Sequence, residues 1–509
     1  MKKIALFLLL AAAGLSAEVK LPALISDHML IQQGMPVRIW GTAAPGEAVK
    51  VSFQSQTHGA TAAANGKWEV FLTPVAAGGP YELTVSGTNS ITVHDVLAGE
   101  VWVGSGQSNM EFAMNRVKDS EHEIPAANFP EIRLFTVKRV VTPEPADDVQ
   151  GSWSACTPAT VKNFSAVAYF FGRELHQKRN VPVGLIHSSW GGTPAQAWTE
   201  KSYLEDDQNL RLYLTNWDKT LTDYPAKKEA YDKTAIPKWE EQVAAAKKSG
   251  QKAPAKPGEP MGPGHQNTPA GLYNGMIAPL TPYAIRGVIW YQGESNASAT
   301  EARLYRRLFP AMIESWRQQW GEGSFPFYFV QLANFQTNGW WPVLRESQTD
   351  TLELAHTGQA LAIDVGNRTD IHPTDKQTVG HRLALIALAQ TYGEQVVYSG
   401  PTLKEMTVDG AEATIWLDNT GKGLESKGGP LAGFAIAGAD RKFYPADAKI
   451  VEDRVVVSSP EVKDPKAVRY AWADYPMATL YNREGLPAVP FRTDSWADAV
   501  TLKILVAAP

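Results

Sequence analysis

The sequence predicts an α/β protein with a mainly parallel sheet, flanked on both sides by β-rich modules. The middle of the chain alternates apolar strand-like segments with helical stretches such as 166–177 and 302–320. Such alternation favours a parallel sheet covered by helices on both faces. The strand-like segments lie around Val101, Ile132, Val183, Val288, Phe327 and Ala360. Both ends of the chain instead show short alternating segments separated by Gly, Pro and Asn-Gly turns, which is typical of antiparallel strands.

These patterns divide the chain into three expected domains. We expect an immunoglobulin-like or jelly-roll β-sandwich over residues 18–96, the α/β part over 97–396 and a second β-sandwich over 397–509. Residues 203–263 interrupt the α/β part with a stretch rich in Lys, Ala, Pro and Gly, which predicts an inserted helical excursion ending in a proline-rich loop. A solvent-facing surface and a lid at the substrate rim are both compatible with this composition.

The first residues predict export. Met1, Lys2 and Lys3 precede an apolar stretch over 4–13, and small residues follow up to Ala17, as in a signal peptide covering residues 1–17. No later segment reaches the roughly 20 apolar residues that a membrane span needs. The single cysteine, Cys156, has no partner for an internal disulfide. We therefore expect a periplasmic or secreted bacterial protein.

Composition excludes several function classes. The chain is 44% hydrophobic and 20% charged, with a formal net charge of −5, and no basic face with interleaved aromatics is evident. Nucleic acid is therefore not an expected partner. The histidines show no metal-ligand spacing and no phosphate-binding loop is present, so neither a metal nor a cofactor is expected.

Ser108 is the candidate nucleophile. It follows a strand-like run that ends in Gly104-Ser105-Gly106, where glycine permits a tight turn. A serine hydroxyl needs such a turn to leave the sheet, a nearby base and donors for an oxyanion. Read alone, the same string also fits an ordinary strand-to-loop junction.

A candidate base lies far downstream. Asp370 stands two residues before His372, just ahead of an expected helix, and Thr374 with Gln377 has the form of a capping box. A carboxylate such as Asp370 can hold one imidazole nitrogen while the other takes a proton. A surface or capping histidine is the alternative interpretation.

Two further strand ends carry glycine and an amide. One strand ends in Gly191-Gly192, and another ends in Gln292-Gly293-Glu294. Strand ends on one edge of an open sheet are where α/β folds collect their sites. Backbone N–H groups of Ser108 and Gly191, with the amide of Gln292, would form an oxyanion hole.

Four separated motifs resemble the sialate O-acetylesterase family of the SGNH-hydrolase superfamily. They are Gly-Gln-Ser-Asn-Met at 106–110, Ser-Ser-Trp-Gly-Gly-Thr-Pro at 188–194, Trp-Tyr-Gln-Gly-Glu-Ser-Asn at 290–296, and Asp-Ile-His-Pro at 370–373. The resemblance covers most of the mature chain, and it implies an SGNH-type hydrolase core between the β-rich modules.

The resemblance assigns roles at matching positions. It implies that Ser108 is the nucleophile, His372 the base and Asp370 its acidic partner, and that Gly191 and Gln292 hold the oxyanion. The superfamily has asparagine where this chain has Gln292. Three other residues within these motifs, Gln107, Asn109 and Glu294, are expected to support the site. Glu294 is also a second candidate for orienting His372, the alternative being a hydrogen-bond anchor for its loop.

Aromatic and cationic side chains near the motifs are candidates for substrate binding. Trp190, Trp340 and Trp341 are possible platforms for sugar rings, although core packing is the alternative for each tryptophan. Arg345 and Arg492 are possible clamps for a substrate carboxylate, because arginine forms paired hydrogen bonds with carboxylates.

The predicted function is an exported carbohydrate O-acetylesterase acting on O-acetylated sugar or glycan. The family name points to acetylated sialic acid, and an acetylxylan esterase of the same family is an alternative. A glycan-binding envelope protein without catalysis is a further alternative, which loss of Ser108, Asp370 or His372 would have favoured.

Overall fold

The computed structural model describes residues 18–337 and 339–496. The predicted signal peptide, residues 1–17, and the last part of the predicted C-terminal module, residues 497–509, lie outside the described residues. No helix in the described ranges is both long enough and apolar enough to cross a membrane.

The N-terminal part forms two sets of strands. Their alternating burial, for example in Val37–Thr42, fits strands with one face on a core. The strands are β1 (Leu30–Gln32), β2 (Val37–Thr42), β3 (Ala48–Phe53), β4 (Gln56–Thr61), β5 (Lys67–Leu72), β6 (Gly78–Ser86) and β7 (Ser90–Gly106). Strands β2 and β5 pair with each other, while β3, β4, β6, β1 and the first half of β7 pair together.

Strand β7 joins the N-terminal part to the central sheet. Its first half pairs antiparallel with β6, and its second half, from Glu100, pairs parallel with strands of the α/β part. The expected domain boundary at residues 96 and 97 therefore falls inside one continuous 17-residue strand. Residues 90–95 are mostly exposed or half-buried, whereas residues 96–106 are all buried, which marks the change from a half-exposed to a fully covered sheet.

The central sheet confirms the predicted α/β class. Its other strands are β8 (Phe129–Thr136), β9 (Trp153–Cys156), β10 (Val183–Ser189), β11 (Gly287–Tyr291), β12 (Phe327–Gln331) and β13 (Thr357–Leu361). The order is β13-β12-β11-β7-β10-β8-β9, with every neighbouring pair parallel except β8 and β9. The six strands predicted from the apolar segments are all present, whereas the antiparallel edge strand β9 was not predicted.

Within the described residues, the same part of the chain forms ten α-helices, several of which pack on this sheet. They are α1 (Ser108–Glu111), α2 (Ser120–Ala126), α3 (Pro158–Val161), α4 (Ala166–Arg179), α5 (Lys201–Asp206), α6 (Arg211–Ala230), α7 (Ile236–Ser249), α8 (Tyr305–Trp320), α9 (Trp341–Asp350) and α10 (Lys376–Ile386). Helix α10 begins differently from the prediction. Asp375 is its N-cap and accepts a hydrogen bond from the Thr378 N–H at 3.0 Å, so the expected Thr374–Gln377 capping box does not form.

The stretch at 203–263 contains mostly exposed helix. Helices α6 and α7 are joined by a π-helical turn, Tyr231–Ala235, and the extended residues that follow α7 return along them. Tyr231 donates its hydroxyl to the Pro257 carbonyl at 3.2 Å, and Trp239 donates Nε1 to the Pro254 carbonyl at 3.0 Å.

The C-terminal part has its own apolar core. Its strands are β14 (Thr402–Asp409), β15 (Glu412–Asp418), β16 (Leu424–Ser426), β17 (Phe434–Ala437), β18 (Phe443–Pro445), β19 (Asp447–Val451), β20 (Arg454–Ser458), β21 (Ala467–Tyr470), β22 (Leu480–Asn482) and β23 (Phe491–Arg492). They form antiparallel sheets ordered β14-β15-β20-β19 and β18-β17-β21-β23, with the pair β16-β22. The N-terminal strands, in contrast, share one core with the central sheet.

Candidate active site

Three neighbouring strands of the central sheet bring the predicted motifs together. Strand β7 leads to Ser108, β10 leads to Gly191, and β11 leads to Gln292. Because β7 lies between β10 and β11 and all three are parallel, their carboxyl ends meet at one edge of the sheet. The sequence-predicted site therefore collects at this edge.

The turn before Ser108 requires glycine. Gly106 has φ +136°, and a Cβ at this position would lie 2.2 Å from the Tyr291 carbonyl oxygen. Gln107 continues the contact with the neighbouring strand, since its N–H donates to the same carbonyl at 3.0 Å. The Gln107 Oε1 accepts a hydrogen bond from the Ser295 N–H at 3.2 Å. Ser108 then begins α1 with its side chain only partly buried.

Ser108 and His372 are in direct contact. The His372 Nε2 lies 2.9 Å from the Ser108 Oγ, although 264 residues separate them. On the other side of the ring, Nδ1 is 3.4 Å from the Asp370 Oδ1, which also accepts the His372 backbone N–H at 2.9 Å. Asp370 thus faces the imidazole nitrogen that points away from the serine.

The surroundings of His372 favour its neutral form. Partial burial lowers the pKa of His372, and the positive charges of Lys376 and Arg116 lower it further, while Asp370 raises it. The lowered pKa leaves the imidazole unprotonated at neutral pH. A neutral imidazole with Nε2 against a hydroxyl is able to act as a general base.

A buried polar cluster, which we call the Asn109 cluster, links the serine turn to the histidine loop. Asn109 donates to Glu294 Oε1 at 2.6 Å and to the Ile371 carbonyl at 3.0 Å, and it accepts from Lys376 Nζ at 2.5 Å. Ile371 lies between Asp370 and His372 in sequence. Glu294 therefore contacts Asn109 rather than the imidazole, as in the anchor interpretation.

Lys376 is a buried residue of the site that the sequence did not reveal. It is fully buried, and burial lowers its pKa to about 7. Its ammonium group lies over the rings of Phe112 and Tyr291, at 4.8 and 5.2 Å from their centroids. The sequence does place Lys376 in the first turn of the helix that follows the Asp-x-His motif. That position does not reveal its burial, because most lysines on helices face water.

The two predicted oxyanion donors beyond Ser108 make other hydrogen bonds. The Gly191 N–H donates to the Glu111 Oε2 at 2.6 Å, and Glu111 also pairs with Arg139. A Cβ on Gly191 would lie 3.2 Å from the Ser108 Cβ, so its backbone is adjacent to the nucleophile.

Gln292 differs from the expectation. Its Nε2 donates to the Thr193 carbonyl at 3.2 Å and to the Asn296 Oδ1 at 2.7 Å, and its Oε1 accepts from the Tyr305 hydroxyl at 2.9 Å. Both amide hydrogens therefore have protein acceptors, and Gln292 ties the two loops together instead of presenting a free donor.

Two predicted substrate contacts lie in the core. Trp341 is 4% exposed and donates Nε1 to the Ala333 carbonyl at 2.7 Å. Arg345 is 1% exposed, and its guanidinium donates only to backbone carbonyls, between 2.8 and 3.1 Å away. The sequence predicted that both side chains contact substrate. The structure contradicts this, because neither has exposed surface that a sugar could reach.

The other candidates keep some exposure. Trp190 is half-buried, and the Arg139 guanidinium lies 5.6 Å from its ring centroid. Trp340 is half-buried beside Trp472, in a cleft of about 570 Å³ between the α/β part and the C-terminal part. Arg492 pairs with the Glu346 carboxylate at 2.6 Å.

Comparison with known proteins identifies the family. The family model for the sialic acid-specific acetylesterases, a group of carbohydrate esterases, matches residues 254–389. Sialate O-acetylesterase of Mus musculus is 31% identical over 520 residues, which cover 92% of this chain and 93% of that protein. The Homo sapiens enzyme is 28% identical and covers 92% of this chain and 90% of its own. A carbohydrate acetylesterase from Xanthomonas citri superposes with a TM-score of 0.80 at 40% identity, covering 94% of this chain and all of that one. The chain therefore belongs to the sialate O-acetylesterase family and is a carbohydrate O-acetylesterase, a carboxylic ester hydrolase.

Proposed function

We propose that Ser108, His372 and Asp370 carry out this hydrolysis, and that O-acetylated sialic acid is the substrate. The observation that carries the catalytic assignment is the 2.9 Å contact between the Ser108 Oγ and the His372 Nε2 at an accessible sheet edge. The position of Asp370 at Nδ1 supports the third role. Glu294, which bonds to Asn109, acts through the Asn109 cluster.

The reaction proceeds through an acetyl-enzyme. The Ser108 oxygen attacks the acetyl carbonyl carbon while its proton passes to the His372 Nε2. The sugar oxygen then leaves and takes that proton from His372. A water molecule, deprotonated by His372, attacks the acetyl-serine, and acetate leaves as Ser108 regains its proton. Asp370 keeps Nδ1 protonated and stabilises the imidazolium that forms in each half-reaction.

The backbone N–H groups of Ser108 and Gly191 serve as oxyanion donors in this proposal. The Gly191 N–H becomes available when the Glu111 carboxylate rotates away from it, and the pairing of Glu111 with Arg139 gives that carboxylate another partner. Gln292 holds the loops in place through its own three hydrogen bonds. Each donor lost from such a site costs about 3 to 4 kcal/mol of transition-state stabilisation.

Sialate is favoured over neutral sugars by the names of the mammalian relatives and by cationic side chains beside the site. Arg116 lies 4.3 Å from the Phe112 ring centroid, next to His372, and Arg139 lies over Trp190. A guanidinium suits a sugar carboxylate. Acetylated xylan is a second candidate, because the half-buried rings of Trp190 and Trp340 are the kind of surface that stacks on neutral sugars.

The test compares acetate release from O-acetylated sialic acid, acetylated xylan and p-nitrophenyl acetate. Ser108→Ala is expected to lower kcat on every substrate by at least about 10³-fold without loss of fold. Retained activity in Ser108→Ala would refute the catalytic assignment.

The choice of sugar has its own control pair. Arg139→Met is expected to raise KM for acetylated sialic acid and leave KM for acetylated xylan unchanged. Lys138→Met removes the exposed charge one residue before Arg139, where the ammonium contacts the Gln150 side chain at 2.9 Å. This control is expected to change neither KM value. Faster release from xylan than from sialic acid in the unmutated enzyme would reverse the substrate proposal.

The proposal extends to the domain organisation and the export of the protein. We infer that the α/β part is an SGNH-type hydrolase domain, that residues 18–96 and the chain from residue 397 form β-sandwich domains, and that residues 1–17 direct export. The antiparallel strand pairing in the N-terminal part and in the C-terminal part supports the sandwich assignment. Mass spectrometry of the mature protein tests export, with an N-terminus at Glu18 as the expected result.

A further inference from the structure

A small cavity lies between the active-site loops and the inserted helices. It has a volume of about 220 Å³, and we call it the insertion cavity. Its walls come from the loop after β10, the loop after β11, helix α6 and the segment that returns from α7. Its lining residues include Tyr213, Trp217, Asn267 and Glu301.

The insertion cavity adjoins the nucleophile. Gln266, next to Asn267 in its wall, donates Nε2 to the Gly191 carbonyl at 3.2 Å. Gly191 in turn approaches Ser108, as its Cβ contact distance of 3.2 Å indicates. Asn296 ties the two loops of the cavity together by accepting the Ala195 N–H at 2.9 Å. A substrate held at Ser108 therefore has its remaining sugar units close to this cavity.

Two buried polar atoms of the cavity wall lack a full set of hydrogen bonds. The Asn267 Oδ1 makes no hydrogen bond of normal geometry with any described residue, and the Tyr213 hydroxyl has only an approach to the Asn296 side chain that falls short of one. Tyr213 as a whole is 7% exposed. A buried polar group without a partner costs free energy, and a ligand hydroxyl both donates and accepts, so it is able to satisfy a phenol and an amide oxygen together.

The remaining wall favours a neutral sugar. The half-buried Trp217 offers an aromatic ring on which a pyranose ring stacks. The described lining residues include no Lys or Arg, while they do include Glu301. The Glu301 carboxyl receives Asn296 Nδ2 at 3.4 Å, and burial raises its pKa to about 7. A carboxylate-bearing sugar would find no cation there and would meet this acidic group.

We propose that the insertion cavity is a sugar-binding subsite that takes a neutral pyranose ring attached to the acetylated sugar. This proposal rests on the proposed function for the location of the acetyl group at Ser108. It gives the inserted helices a role in substrate binding: α6 supplies the stacking surface, and the returning segment closes the wall toward Gly191. The enzyme would then prefer acetylated sugars within a chain over free acetylated monosaccharides.

The first experiment compares kcat/KM for three substrates: p-nitrophenyl acetate, O-acetylated sialic acid and O-acetylated sialyllactose, which carries two neutral sugars. Trp217→Ala is expected to lower kcat/KM for the sialyllactose ester about tenfold, through KM, and to leave the other two within twofold. Trp239→Ala, on α7 of the same insertion with its ring nitrogen on Pro254, is the matched control and is expected to change none of them. An equal loss on all three substrates, or no loss on any, overturns the subsite.

A second variant guards against a purely structural effect. Tyr213→Phe removes a hydroxyl that makes no hydrogen bond of normal geometry with any described residue, so the fold is expected to remain and the thermal midpoint to change little. Its kcat/KM for the sialyllactose ester is expected to drop about threefold to fivefold. Unchanged kinetics would contradict the subsite, because the hydroxyl would then make no contact with the bound sugar.

Direct binding separates this proposal from the proposed function. Calorimetric titration of the wild-type protein with lactose and with xylotetraose requires no hydrolysis. Millimolar or tighter binding of either sugar, weakened at least tenfold by Trp217→Ala and not by Trp239→Ala, supports the subsite even if acetylated sialic acid is not hydrolysed. Absence of binding by both sugars refutes it, whatever the esterase activity.

Discussion

At the scale of single residues, Lys376 determines much of the environment of the His372 imidazole. Its ammonium is fully buried, touches the Asn109 Oδ1, and lies near enough to His372 to lower the pKa of the imidazole. Glu294 is the nearby acidic group that favours the charged form of this lysine. The pKa of His372 therefore depends in part on Lys376, a buried residue outside the proposed catalytic group.

Lys376→Met is expected to move the acid limb of kcat/KM to higher pH. At the pH where His372 titrates, below its ordinary 6.5, Lys376 is protonated because its own pKa is about 7. Removing that positive charge removes an effect that lowers the pKa of His372, so the imidazole becomes protonated at a higher pH. The measurement is the pH profile of p-nitrophenyl acetate hydrolysis.

The control for this profile is Lys178→Met, which removes an exposed lysine of α4. It is expected to leave the acid limb in place. If the acid limb of Lys376→Met does not move, or moves to lower pH, the proposed electrostatic effect of Lys376 on His372 is contradicted.

The sequence predicted the proposed catalytic residues better than the residues that support them. Ser108, Asp370 and His372 stand in motifs whose spacing follows from the chemistry, and the structure places them side by side. Lys376 carries no such spacing, since its role depends on its burial against Phe112 and Tyr291. Burial of a lysine is a tertiary effect that a helix-start pattern does not encode.

At the scale of elements, the end of β7 depends on one glycine. Gly106→Ala places a methyl group 2.2 Å from the Tyr291 carbonyl oxygen at a φ of +136°. Backbone atoms cannot move aside cheaply, so we expect a loss of several kcal/mol in the free energy of unfolding and a loss of esterase activity. Chemical denaturation and acetate release measure the two effects.

Gly104→Ala is the matched control in the same strand. A Cβ there would meet the Ala168 Cβ at 3.2 Å and otherwise ordinary contacts, without a positive φ. We expect it to cost less than about 1.5 kcal/mol. Equal stability losses in the two variants would show that the turn geometry is not the reason for glycine at 106.

The start of α10 shows how far local patterns reach. Thr374 and Gln377 have the right residue types for a capping box, yet Asp375, one residue later, makes the cap. Gln377 instead donates to the Lys118 carbonyl at 2.6 Å, and Thr374 accepts the Lys118 N–H at 3.0 Å. A distant segment therefore takes the Gln377 side chain that the local pattern assigned to the helix, and it uses the Thr374 backbone carbonyl rather than the hydroxyl.

Asp375→Ala is expected to lower the free energy of unfolding by about 1 kcal/mol, because the Thr378 N–H loses its acceptor. Thr374→Ala keeps the backbone carbonyl that bonds to Lys118 and is expected to have no measurable effect. Denaturant titrations of both variants provide the measurement. A larger loss for Thr374→Ala than for Asp375→Ala would restore the original capping assignment.

At the scale of the whole molecule, the α/β part and the C-terminal part share buried polar contacts. The Tyr481 hydroxyl donates to the Asp364 Oδ2 at 3.1 Å, and Asp364 also pairs with Arg382 at 2.6 Å. Arg345, on α9, donates to the carbonyls of Ala473 and Asp474 at 2.8 and 3.1 Å. These contacts hold the C-terminal strands against the sheet that carries the site.

The order of β-rich, α/β and β-rich regions was readable from periodicity, since each region has its own repeat of apolar residues. The joins between regions were not. Strand β7 crosses the expected boundary without a break. Arg345 was a candidate for binding a substrate carboxylate because arginine forms paired hydrogen bonds with carboxylates, but it is buried. Only long-range packing reveals that its partners are carbonyls of two regions.

Arg345→Met is therefore expected to reduce stability and not substrate affinity. The change leaves the carbonyls of Leu332, Ala333, Ala473 and Asp474 without this donor, at about 1 to 3 kcal/mol for each group that stays buried and unpaired, so we expect a loss of at least about 3 kcal/mol in the free energy of unfolding. Arg307→Met, which breaks an exposed ion pair with Asp207, is expected to cost less than about 1 kcal/mol. Denaturant titration gives both values, and KM for acetylated sialic acid is measured on the folded fraction. A raised KM for that anionic substrate in Arg345→Met, with stability unchanged, would instead make this arginine the carboxylate clamp.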